Sequence, residues 1–145
     1  MNDVNASFTK ARDLLAAARL EWKEATATRP EDRTKLRQAA EKGWLAVSTA
    51  ADAASRCLPK GQQGTGPAGT AAKTSEAIRV LRKMGGPKAE EKAGAIRGTL
   101  HLACFYSDDT ACTPTVVAAQ FREAAEVIRL VQQGCDAMQA KKAKK

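Results

Sequence analysis

Arg97 and His101 lie four residues apart in the segment Ile96-Arg97-Gly98-Thr99-Leu100-His101-Leu102-Ala103-Cys104-Phe105-Tyr106. On a helix that spacing places both side chains on one face. His101 is the single histidine of the chain, and imidazole is the side chain whose ordinary pKa lies nearest neutrality. Arginine is a permanent cation whose planar fork fits a phosphate. Together they have the parts needed to hold a phosphate and to move a proton at a ribose hydroxyl, without a metal. The same pair also fits a plainer role. A histidine between helices can be satisfied by a carboxylate or a carbonyl, with Arg97 pairing Glu90 or another neighbour. Glu90, Gly94, Arg97, His101 and Phe105 share this face, and Gly94 is expected to leave room on it.

Other chemistry is sparse. The four cysteines, Cys57, Cys104, Cys112 and Cys135, contain no Cys-x-x-Cys pair. With one histidine they lack the spacing of a zinc site. They are expected to be buried apolar thiols, with a disulfide or redox role as the alternative. Asp108 and Asp109 are adjacent and would point apart in most backbones, which argues against a carboxylate metal site. They fit a turn or a partner for basic side chains better. The glycine-rich run from Pro59 to Gly69 has no Gly-Lys-Ser/Thr ending and no strand before it, so it reads as a connection and not a phosphate loop. Trp22 and Trp44 fall on inward stripes and are expected to anchor the core.

The elements that must position these residues are helices. Phe8, Ala11, Leu15, Ala18, Trp22 and Ala25 step by three and four, which predicts a helix over 3–28. Arg29-Pro30 interrupts it, and Pro30 suits the first turn of the next, with Glu31 and Asp32 at its positive end. The second helix, over 30–58, has Leu36, Ala40, Gly43, Val47, Ala50 and Ala54 inside, widened by Trp44 and Ala51. Gly43 costs about 1 kcal/mol relative to alanine in a helix interior, so a neighbouring helix is expected to approach closely there. A short third helix over 70–84 turns Ile78, Leu81 and Met84 inward. Gly85-Gly86-Pro87 ends it and opens a fourth over 87–106, with Ala89, Ala93, Ile96, Leu100 and Ala103 inside. Thr113-Pro114 opens the last helix, whose stripe is Val117, Phe121, Ala124, Ile128, Val131, Cys135 and Met138. No segment alternates with the period of two that a half-exposed strand requires. The pattern gives an all-α fold, an antiparallel four-helix bundle with an additional short helix, spanning 1–140 as one domain. Residues 141–145 form a basic tail.

Composition sets the class of partner. The 145 residues carry a net charge of +8, and only 4% are aromatic. The surplus concentrates between residues 60 and 100 and in the tail. Such a balance suits polyanions, held by lysine and arginine more than by aromatic stacking, and equally fits a solvated helical surface with a frayed tail. No run is long and apolar enough to span a bilayer. The N-terminal residues lack the basic-then-apolar order of a signal peptide, so a cytoplasmic protein is expected.

Two segments resemble a known family. Ala40-Glu41-Lys42-Gly43-Trp44-Leu45-Ala46-Val47 is similar to the Ala/Glu-Lys-x-Trp-x-Ala signature of HEPN-like bundles, closest to the small archaeal PaREP-type proteins. Leu100-His101-Leu102-Ala103-Cys104-Phe105-Tyr106 resembles their Leu-His-x-x-x-Phe-aromatic segment. The resemblance implies an antiparallel four-helix bundle that dimerises. HEPN-like domains include metal-independent ribonucleases, toxin components and nucleotide-binding accessory modules. Active members carry an Arg, four to six residues and then a His. Arg97 and His101 have three residues between them, and Gly98 stands where a polar residue is usual. PaREP-type relatives offer no established activity to carry over; the leading reading is a homodimeric, non-catalytic HEPN-like module that binds a nucleotide or RNA, and no cofactor or metal is expected. Its site would comprise Arg97, His101, Glu90, Tyr106 and Trp44. A ribonuclease using Arg97 and His101, and a structural or protein-interaction accessory module, are the alternatives.

Overall fold

Stripes of small apolar residues stepping by three and four bury themselves by packing helix on helix, and the chain does this throughout. The computed structural model describes residues 2–28, 33–59, 70–107 and 112–143. The elements are α1 (Asn2–Thr28), α2 (Arg33–Ser55), α3 (Thr70–Ile96), a π-helix (Arg97–Tyr106) and α4 (Pro114–Ala143). No strand occurs among the described residues. Helix α1 packs along α2, and α3 along α4, with α2 and α4 meeting across the middle. The result is an all-α bundle.

The apolar stripes supply the core. Phe8, Leu15, Leu36, Val47, Leu81, Ile96, Leu100, Val117, Phe121, Ile128 and Val131 are buried, interleaved with many alanines. Trp22 is only half-buried, and its indole N–H reaches out to the carbonyl of Pro114 at 2.9 Å, tying α1 to the start of α4. Thr113 caps α4 through its hydroxyl, which accepts from the Val116 N–H at 3.2 Å, and Pro114 follows at the first helical position. Helix α4 runs on through Lys141 and Lys142 to Ala143, so the basic stretch starts as helix, where cations suit the negative helix end. Lys92 of α3 and Glu123 of α4 form an ion pair. The Glu123 hydrogen bond is the main cause that holds the Lys92 ammonium above its ordinary pKa.

The break expected at Gly85-Gly86-Pro87 is present: within α3 two helical stretches meet at a kink at Gly86, which has the non-helical φ 85° and ψ −177°. Glycine takes that conformation without the steric cost of a Cβ, and Pro87 restarts the helix on the far side. One expectation needs correction: the predicted fourth helix does not stay α-helical to its end, because residues 97–106 are a π-helix. Its i→i+5 hydrogen bonding widens each turn. The buried apolar positions here are Ile96, Leu100 and Cys104, and Ala103 is only half-buried. Residues 29–32, the connection over 60–69, Asp108 and Asp109, and Lys144 and Lys145 lie outside the described residues.

Glycines mark the closest approaches. A Cβ built on Gly43 would lie 2.7 Å from Phe121 Cε1 and 2.9 Å from Leu100 Cδ1, so α4 and the π-helix press on α2 there. At Gly134 the contact is tighter still, 1.8 Å from the Met84 carbonyl oxygen. Gly94 behaves differently. A Cβ there meets nothing within 4 Å, so it faces open space and forms no notch. Gly94→Ala is accordingly expected to stabilise the fold by about 0.5–1 kcal/mol, through helix propensity and a less flexible unfolded chain. Urea denaturation should show a higher midpoint with an unchanged slope.

Candidate functional site

One face of α2 carries Arg33, Arg37, Glu41 and Trp44, spaced by three and four so that they form a single row. The row faces the π-helix and the residues that follow it. Arg33 Nη2 donates to the carbonyl of Cys112 at 3.1 Å. One turn on, Arg37 donates from Nε and Nη2 to the carbonyl of Phe105, at 3.0 and 2.7 Å. That carbonyl lies in the last turn of the π-helix, where the chain's own N–H donors run out and a cation is favoured. The Ser107 N–H closes the last i→i+5 bond, to Leu102 at 2.9 Å.

His101 lies at the centre. Its Nδ1 donates to Glu41 Oε2 at 2.8 Å. Both side chains are largely enclosed, His101 at 11% and Glu41 at 19% exposure. A carboxylate accepts and does not donate, so it fixes an N–H on Nδ1, and in the neutral ring Nε2 is then the acceptor. Three rings surround the imidazole. Trp44, buried, has its ring centre at 5.9 Å, and Phe105 lies near-parallel at 6.4 Å. Tyr106 meets it edge-on at 4.9 Å and is 63% exposed. Phe105 and Tyr106 also meet edge-on, at 5.1 Å. The result is a carboxylate-oriented imidazole behind one exposed aromatic ring.

Of the five residues expected at a site, the fold gathers Trp44, His101 and Tyr106. Arg97 is half-buried at the start of the π-helix, one turn before His101. Its Nε is enclosed without a hydrogen-bond partner. Glu90 is elsewhere: it pairs with Arg82 at 3.1 Å across the α3 kink. Eleven residues of helix, roughly 16 Å, separate it from His101. Glu90 therefore neither binds Arg97 nor joins the cluster. Glu41 and Arg37 are the residues that sequence reasoning missed. Their signal was present as polar residues at four-residue spacing beside the apolar stripe of α2, but a polar flank on a helix is usually solvated.

Two of the four cysteines depart from the expected buried thiols, and two match them. Cys104 and Cys112 form a disulfide with Cα atoms 5.3 Å apart, while Cys57 and Cys135 are free and buried. Cys104 sits on the π-helix three residues after His101, so the cross-link borders the site. Cys57 ends the chain's descent from α2 and packs beside α4, within 4.0 Å of Gln139 Nε2. Burial first, and Cys57 second, push the Cys135 thiol well above the ordinary range and keep it protonated. Both thiols are buried in the packing between helices.

No family model, curated protein or solved structure matches this chain.

Proposed function

We propose that this chain is a HEPN-like helical module that binds a nucleotide or RNA without cleaving it, as a cytoplasmic homodimer. The observation that carries the proposal is Tyr106, an exposed aromatic ring edge-on to an imidazole whose other nitrogen is already taken by Glu41. A base stacks on the tyrosine, and Nε2 of His101 accepts a hydrogen bond from an exocyclic amine or a ribose hydroxyl. Arg97, with its Nε enclosed and unsatisfied one turn away, supplies the cation for a phosphate. The net charge of +8 draws the polyanion in. A two-fold dimer would double these few groups, which compensates for so small a site in one chain.

The direct test is fluorescence anisotropy with a labelled single-stranded RNA. Affinity should fall steeply between about 50 and 200 mM salt. Tyr106→Ala should weaken binding by about tenfold or more, the scale of one lost base stack. Arg97→Ala should weaken it and flatten the salt dependence. If no RNA or mononucleotide binds, or binding ignores salt and both substitutions, the accessory-module alternative takes its place.

The Glu41–His101 pair specifically favours one second reading, a metal-independent ribonuclease. A carboxylate-oriented imidazole is suited to take a proton from a ribose 2′-hydroxyl, with Arg97 on the phosphate. His101→Ala must then abolish cleavage of RNA in the presence of a chelator. Cleavage that survives the substitution removes the reading.

A further inference from the structure

A ten-residue π-helix is unusual, because i→i+5 turns normally occur singly inside α-helices. Something outside the segment must hold this one, and three fasteners do so within its last turn and just beyond. Arg37 grips the Phe105 carbonyl, Arg33 grips the Cys112 carbonyl, and a disulfide ties Cys104 to Cys112, eight positions on in the sequence. The disulfide bears on register most directly. The π geometry turns Cys104 inward, fully buried against Cys112, with Ala103 half out. The sequence pattern by itself places Ala103 inward, as an α-helix would. A return to α geometry rotates Cys104 out of line with Cys112 and carries Phe105 and Tyr106 with it. Those are two of the three rings packed on His101.

We propose that the Cys104–Cys112 disulfide holds the π-helical register, and that reducing it releases Tyr106 and Phe105 from His101, so the site responds to thiol–disulfide state. In forming the bond each thiol gives up a proton and the pair gives up two electrons. A small-molecule disulfide such as oxidised glutathione accepts them and is cleaved to two thiols, through a mixed-disulfide intermediate; a dithiol runs the exchange backwards. In a reducing cytoplasm an intramolecular disulfide is characteristically transient or redox-sensing. The cross-link and the proposed location are thereby compatible. Both sulfurs are buried, so exchange requires the end of the π-helix to open first, and it is slow. The regulatory meaning rests on the binding function proposed above, but the structural switch does not.

The chain has one histidine and one tyrosine, which gives two unique reporters. In proton NMR of the oxidised protein, the Tyr106 ring and the His101 imidazole should show a mutual Overhauser contact, as their 4.9 Å ring separation requires. Dithiothreitol should abolish that contact and raise the free thiols counted in denaturant from two to four. Oxidised glutathione should restore both. Cys57→Ser with Cys135→Ser should leave the response intact, and Cys104→Ser should hold the site permanently in the reduced form. A fully reduced protein that keeps the contact and both sets of resonances overturns the proposal. So does loss of helical circular dichroism on reduction, because the cross-link would then hold the fold and not the site. A switching contact with no RNA binding in either state defeats the binding reading and leaves this inference standing.

Discussion

Gly134→Ala is expected to destabilise the protein by about 3 kcal/mol, although alanine is the better helix former by about 1 kcal/mol. The added Cβ would lie 1.8 Å from the Met84 carbonyl oxygen and 2.7 Å from its carbon. These are backbone atoms, so no rotamer change relieves the clash. Helices α3 and α4 must move apart, and the contacts of Met84, Val131 and Cys135 loosen with them. The contact falls two residues before the Gly86 kink, so the crossing and the bend form one feature of the fold. For a chain of this size the loss should appear as a fall in Tm of roughly 10 °C by calorimetry. Gly94→Ala in the same scan should move the other way, because its Cβ points into open space. Equal behaviour of the two variants would mean that α3 and α4 do not cross at Gly134.

The second large effect is at Glu41. Glu41→Ala leaves the Nδ1–H of His101 enclosed without an acceptor, and an unsatisfied buried donor costs about 1–3 kcal/mol. Burial of both partners places the expectation at about 2 kcal/mol. Glu41→Gln keeps an acceptor oxygen at the same reach, so most of the stability should return. The two variants should therefore separate in urea denaturation, Gln near wild type and Ala well below it. Identical midpoints would show that Glu41 does not hold His101. Under the ribonuclease alternative Glu41→Gln also matters differently, because a neutral amide does not stabilise the imidazolium formed when His101 takes a proton. Stability retained with cleavage lost would then distinguish a chemical role from a structural one.

The helical class and nearly all of the core were legible in the sequence. Phe121, Ile128 and Val131 on α4, or Leu36, Val47 and Ala50 on α2, repeat at the helical period because burial on one face demands it. Gly43 also announced itself, since a glycine in a helix interior needs a close neighbour, and Phe121 and Leu100 provide it. Gly94 carried the same signal and misled, because composition cannot tell a notch from an exposed surface. His101 was identifiable as the chain's single histidine, on the face beside the stripe of its helix.

The chain by itself therefore determined an all-α bundle, the faces its helices bury, and His101 as the residue around which a site would form. These follow from local periodicity, which a single helix expresses without knowing its neighbours. Only the tertiary structure decided what His101 meets. Glu41 and Arg37 lie sixty and sixty-eight residues away from their partners. Their pairing depends on how α2 is rotated against the π-helix. The π register itself, and with it the inward turn of Cys104 onto Cys112, depends on anchors supplied from α2 and from the start of α4. Local propensity favours the α-helix there; the long-range hydrogen bonds and the cross-link outweigh it.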